Sequence, residues 1–189
     1  MELMDYLTTR RSIRRYQDRP IPKEVMEELI RIATLAPTGS GEQPWGFLVL
    51  DDKEEIDALS ETIKGWLKEN LEQYPWLARY EKWYTNPKFH VFNRANTVLL
   101  IYGNTQSHWY VYDGTLAASQ VMAAGAEQGI GCCWIGFAQD FCNTPSFKQE
   151  HGVLPGYELV AALSMGYAEE HPKPPERKPA VMFGENKAK

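Results

Sequence analysis

Apolar residues recur along this chain in two rhythms: the helical spacing of about 3.6 residues, and short unbroken runs of strand length. Val25, Leu29, Ile32, Ala33 and Ala36 share one side of a helix that Pro22 opens and Pro37 stops. Leu3, Tyr6 and Leu7 predict a shorter helix before it. Ile56, Leu59, Ile63 and Trp66 predict a third, after a turn at Asp51 and Asp52. The Ala-rich run from Trp109 to Gln128 reads as a long helix ended by Gly129, and Pro145 to Glu150 as a short one. Four runs read as strands: Trp45–Leu50, Thr97–Tyr102, Gly131–Phe137 and Tyr157–Met165. Helices and strands alternate loosely. A central sheet covered by helices on both faces is expected, with mixed strand directions because not every connection is a full helical crossover.

Two stretches fit neither rhythm. From Leu67 to Phe92 the chain is rich in aromatic residues (Tyr74, Trp76, Tyr80, Trp83, Tyr84, Phe89, Phe92) set among charges and two prolines. It predicts an irregular or short-helical excursion, either a cover for a planar substrate or simple packing. After Glu169, Pro172, Pro174, Pro175 and Pro179 forbid regular helix. The organisation expected is one domain over 1–168 with a Pro-rich, basic extension over 169–189. In the long helix, Ala117, Ala118, Ala123, Ala124 and Ala126 permit close helix approach, either within the monomer or across a dimer.

Composition narrows the function by exclusion. A formal net charge of −5 disfavours a nucleic-acid partner. No stretch nears the roughly 18 apolar residues of a membrane span. The N-terminal nine residues lack the basic start and apolar centre of a signal peptide, so the chain reads as cytoplasmic. The three cysteines, Cys132, Cys133 and Cys142, and the four histidines have no metal-ligand spacing; the thiols read as reduced and buried, without a catalytic role. No metal is expected.

Four segments carry candidate chemistry. Arg10-Arg11-Ser12-Ile13-Arg14-Arg15 places four guanidinium groups and a hydroxyl after a short helix, a donor set suited to phosphate unless it is a solvated patch. Pro37-Thr38-Gly39-Ser40-Gly41-Glu42-Gln43 lets backbone approach a flat ligand and offers Thr38, Ser40 and Gln43 to its edge, although an ordinary helix-to-strand connection has similar composition. Gly129 to Gly136 reads as a strand that could present backbone N–H groups near Gly136, where it ends. There Trp134 reads as core. In the tail, Lys173, Arg177 and Lys178 are cations among prolines, on composition alone a flexible terminus.

In this order, RRSIRRY, APTGSGEQPW and GIGCCWIG resemble, essentially end to end, the FMN-dependent nitroreductase family. The resemblance implies an α+β, three-layer α/β/α fold with a central mixed sheet of four to five strands, in an obligate homodimer whose two sites are lined by both subunits. It implies FMN as cofactor. Arg10 and Ser12, with Arg177 and Lys173 or Lys178, would hold its phosphate and ribityl chain; Arg11 lies in the same segment, and Arg14 would face the pyrimidine edge. Pro37, Thr38, Ser40 and Gln43 would come from the other subunit, and Ile135 with Gly136 would border the ring near N5. Glu42-Gln43 replaces the family's Asn-containing sequence, so no ring-edge amide contact is carried over here. Phe137 replaces a second glycine often seen after Gly136.

By the same resemblance, a ping-pong cycle is expected, from NAD(P)H or a reduced protein carrier to a small planar acceptor such as a nitroaromatic or quinone. No protein nucleophile is required, since the flavin carries the redox chemistry. A non-enzymatic FMN-binding or flavin-storage protein is the alternative. Relatives of this fold also include deiodinases and a flavin-cleaving enzyme, and no residue here selects either.

Overall fold

The computed structural model describes residues 3–184; the last five residues of the extension lie outside them. The elements are α1 (Leu3–Thr9), α2 (Lys23–Ala33), β1 (Trp45–Leu50), α3 (Lys53–Glu69), α4 (Glu81–Tyr84), β2 (Thr97–Asn104), α5 (Tyr110–Glu127), β3 (Ile130–Trp134), α6 (Pro145–Glu150) and β4 (Tyr157–Tyr167). Local chemistry explains the helix starts. Asp52 caps α3 by accepting from the backbone of Glu54 and Glu55 at 2.8 and 3.2 Å, and Thr144 caps α6 with Pro145 at its first position.

The four strands form one sheet in the order β1-β2-β4-β3. Every strand pair among the described residues is antiparallel, which corrects the expectation of a mixed sheet. The reason is an insertion. β2 and β3 are joined by α5 and run in the same direction, but β4 enters between them and pairs with both. β3 stops at Trp134, short of the expected Phe137, because Gly136–Ala138 tightens into a 3-10 turn. β2 and β4 each run two residues further than expected.

Alternation along the strands feeds a core on each face. Leu50, Val98, Leu100, Tyr102, Cys133 and Ala162 lie under α3 and the aromatic excursion, with Ile56, Ile63, Leu67, Leu77, Tyr84 and Phe92. Leu99, Ile101, Cys132, Ala161, Leu163 and Met165 lie under α2 and α5, with Leu29, Ala33, Ala117, Ala118 and Val121. Ala117 and Ala118 are therefore packed within the monomer. Register shifts between Ile101 and Tyr102, leaving Val160 as a bulge against Gly114 of α5, where a Cβ would stand 2.9 Å from the valine side chain. The excursion is divided: Leu77 and Tyr84 are fully buried, while Trp76 and Trp83 are 47% and 56% exposed.

After α1 the chain lies along the far side of the sheet. The N–H of Ile13 donates to the Cys132 carbonyl at 3.0 Å, and that of Gln17 to the Tyr167 carbonyl at 2.9 Å. Ile13 is buried directly over Gly131, where a Cβ would stand 2.4 Å from its side chain. Gly131→Ala is therefore expected to lower stability by about 1–3 kcal/mol, as overpacked cores do. Urea unfolding of the variant beside the native chain measures it, and coincident midpoints would contradict the packing.

Candidate functional site

The Ile13 anchor sets the geometry of the arginine run. Arg10 and Arg11 line a cavity of about 350 Å³ together with Leu7, Thr8, Pro174, Pro175 and Arg177. The structure thus joins the N-terminal run to one cation of the tail, across a gap of over 160 residues. The Arg11 side chain donates to the Arg10 and Thr8 carbonyls, yet its Nε is buried and has no partner. Among the described residues no carboxylate pairs with Arg10, Arg11, Arg14 or Arg177; Arg15 alone of the run does so, with Glu170 at 3.3 Å on the surface. Guanidinium groups gathered without a counter-charge, one with an orphaned buried donor, fit a phosphate. Lys173 and Lys178 are exposed on the tail and line none of the cavities described here.

Ser12 and Arg14 face a different neighbourhood. Burial pushes the Cys133 thiol pKa up, opposed by the charge of Arg14 and by the polar side chains of Ser12 and Asn93, which puts these groups in the neighbourhood of one sulfur. Arg14 keeps its outer part exposed. Below them, Tyr16 Oη donates to the Ile13 carbonyl at 2.7 Å and lies 3.0 Å from Ser164 Oγ, which accepts from Asn93 Nδ2 at 3.4 Å. Asn93 is a site residue that the sequence reading did not single out. Its backbone is left-handed, φ 56°, as is that of Arg94, and Asn is among the few residues that adopt this readily. An Asn between the aromatic excursion and a strand was the available signal.

The loop between α2 and β1 is equally particular. Ser40, Gly41 and Gln43 have φ of 55°, 69° and 48°. Gly39 donates its N–H to Asp113 Oδ1 of α5 at 3.0 Å and lies so close to Trp109 that a Cβ would stand 2.3 Å from the indole. Asp113 is only 2% exposed, and its Oδ2 has no partner. Pro37, Ser40 and Gln43 are exposed and Thr38 is half-buried; within one chain none of them lines the cavities that hold Arg10 and Arg11. At the end of β3, the Ile135 N–H is spent on the Ala162 carbonyl at 2.8 Å. Backbone donation there falls to Gly136 or Phe137. Phe137 turns its ring into the excursion, with centroids 5.6 Å from both Tyr80 and Phe89. Trp134 is 39% exposed, which corrects its reading as core.

Helices packed on both faces of one antiparallel sheet place the chain in the α+β class. The nitroreductase family model matches residues 7–167, and the chain belongs to the Nitroreductase family. It is 26% identical over 175 residues, 89% of this chain and 87% of the other, to an Archaeoglobus fulgidus protein provisionally named NADH dehydrogenase/NAD(P)H nitroreductase. It is also 26% identical over 184 residues, 86% of this chain and 82% of the other, to iodotyrosine deiodinase of Haliscomenobacter hydrossis. The crystal structure of a Bacteroides fragilis nitroreductase with bound FMN superposes with a TM-score of 0.80 over 98% of this chain and 97% of that one, at 21% identity.

Asp113 provides the check on the loop. Asp113→Ala is expected to raise the hydrogen-exchange rate of the Gly39 amide by about tenfold or more, since a buried bond to a charged acceptor contributes about 1.5–3 kcal/mol. Unchanged protection of that amide would mean the loop is fixed by other contacts.

Proposed function

We propose that the chain is an FMN-dependent oxidoreductase that works as a homodimer, taking electrons from NAD(P)H or a reduced protein carrier and passing them to a small planar acceptor such as a nitroaromatic or quinone. The observation that carries this reading is the cavity shared by Arg10, Arg11 and Arg177, with which no carboxylate among the described residues pairs. These arginines, with Ser12, would bind the phosphate and ribityl chain through charge-assisted hydrogen bonds. Lys173 and Lys178, elsewhere on the tail, would contribute by closing over it, making 169–189 part of the same functional unit as 1–168. Bound FMN supplies the electron transfer at its N5.

The remaining residues position and tune. Arg14, held beside Ser12 and Asn93, would face the pyrimidine edge and favour the negative charge gained there on reduction. Gly136, with Ile135 behind it, would border the ring near N5. Pro37, Thr38, Ser40 and Gln43 would complete the wall from a second subunit, which agrees with their exposure away from the arginine cavity. A second subunit would also cover Trp109, Val111, Tyr112 and Leu116, apolar residues exposed on and beside α5. The exposed Trp76 and Trp83 are candidates for stacking on a flat acceptor. No helix of the described residues is long and apolar enough to cross a membrane, and the three free, buried thiols favour the cytoplasm.

An absorption spectrum before and after anaerobic NADH or NADPH tests the reading. Flavin bands that bleach, then return with a nitroaromatic or quinone, are expected. Bands that bind but never bleach would favour the storage alternative, and no bands after FMN reconstitution would overturn the reading. Arg10→Ala should chiefly weaken FMN retention, whereas Arg14→Ala should lower the flavin potential with modest loss of binding. Equal behaviour of the two, followed by fluorescence and redox titration, would defeat that division.

A further inference from the structure

One buried histidine has no part in the reading above, yet its hydrogen bonds end at the proposed site. His90 is 7% exposed, and every polar atom of its ring is engaged. Its Nδ1 accepts the backbone N–H of Phe92 at 3.1 Å and of Arg94 at 3.2 Å. A ring nitrogen that accepts carries no proton, so the proton sits on Nε2 and is donated to Asp57 Oδ1 at 2.9 Å. The His90 carbonyl accepts a third bond, from the Asn93 N–H at 3.1 Å. These bonds wrap the chain around the imidazole and hold Asn93 and Arg94 in the left-handed region, which Asn adopts readily but Arg only at a cost.

What this turn presents is Asn93. Its Nδ2 donates to Ser164 Oγ at 3.4 Å, and Asn93 joins Ser12 and Arg14 among the groups that oppose the upward shift of the Cys133 pKa. Through Ser164 the contact continues to Tyr16 and the Ile13 carbonyl, the residue between Ser12 and Arg14.

We propose that His90 is a positioning residue of the flavin site: by capping two backbone N–H groups at Nδ1 it fixes the Asn93–Arg94 turn against Ser12 and Arg14, and protonation of Nδ1 releases it. The proposal rests on the reading that the Ser12–Arg14 segment receives FMN. A protonated ring has no acceptor left, so both caps are lost together. The groups facing the ring are Asp57 and Glu61 of α3, which favour the charged form, and Arg94 of the turn itself, which opposes it. Burial is the largest influence and lowers the pKa below the ordinary 6.5. The contribution of the neutral ring is therefore complete above that ordinary value and is lost as the pH falls through the lower folded one.

The test is the FMN dissociation constant, read by flavin fluorescence between pH 5 and 8 for the native protein, His90→Asn and His90→Leu. Asparagine can place an acceptor near the Nδ1 position but does not titrate in this range. The native protein is expected to lose about tenfold in affinity toward pH 5, the order expected when two buried hydrogen bonds are broken. His90→Asn should bind nearly as the native protein does at pH 7.5 and show a flat profile. His90→Leu should bind about tenfold more weakly throughout, and its Phe92 and Arg94 amides should exchange faster. A His90→Asn profile as steep as the native one, or a His90→Leu affinity equal to it at pH 7.5, would overturn the proposal. Arg10→Ala and Ser12→Ala separate the two readings. If both retain FMN as the native protein does, the cofactor assignment of the segment fails; if both lose it while the His90 variants do not, only the role of His90 fails.

Discussion

Two missing side chains decide where the N-terminal arginines point. Ile13 sits in the notch left by Gly131, and Tyr16 in the one left by Gly166, where a Cβ would stand 2.8 Å from its ring. With the bonds from Ile13 to Cys132 and from Gln17 to Tyr167, this lays the segment on the sheet as a partial extra strand, completed by a bridge from Tyr16 to Ala168. The alternation of an extended backbone then does the rest. Ile13 faces inward, while Ser12 and Arg14, its flanking neighbours, are directed elsewhere, toward Cys133. The glycines contribute shape, and through shape they orient charge.

The same anchoring explains why the cavity between Arg10, Arg11 and Arg177 can exist. The tail leaves β4 at Tyr167 and passes beside Arg15, whose carbonyl accepts from the Glu169 N–H at 3.1 Å. It then reaches the arginines without regular structure, since its prolines exclude helix. Like charges brought together this way repel, and no carboxylate among the described residues pairs with these three arginines. An anion in that cavity would relieve the repulsion.

Much of this was legible in the sequence, and what was not has physical causes. Helix positions followed from the spacing of Val25, Leu29 and Ala33 or of Ile56, Leu59 and Ile63, because one buried stripe dictates them, although Ile32, expected on the same side, lies outside the core. Strands were found but their directions were not: periodicity says that Gly131–Trp134 is extended, not that β4 will enter between it and β2. The arginine run announced itself by composition. His90 and Asn93 did not, since a turn closed around an imidazole leaves no period, and the partners of that turn, Asp57 and Ser164, lie far away in the chain. Trp134 was misread because large aromatics at strand ends are usually core, whereas here the 3-10 turn at Gly136 leaves the indole half out.

Backbone strain sorts these residues better than composition does. Among the described residues, the four non-glycine positions with left-handed φ are Ser40, Gln43, Asn93 and Arg94. All lie in two segments, the loop after α2 and the turn before β2, and each segment is clipped by a buried polar side chain: Asp113 Oδ1 on Gly39, and His90 Nδ1 on Phe92 and Arg94. A conformation that unfavourable survives only where it is over-determined, and buried polar groups are retained only where their bonds are made. The sheet with its two cores supplies the rigidity, while these clips set fine geometry at its rim. In this family member the Asp113 clip serves an exposed loop, and the His90 clip serves the Asn93–Arg94 turn. A single sheet thereby supports both clipped segments at its rim.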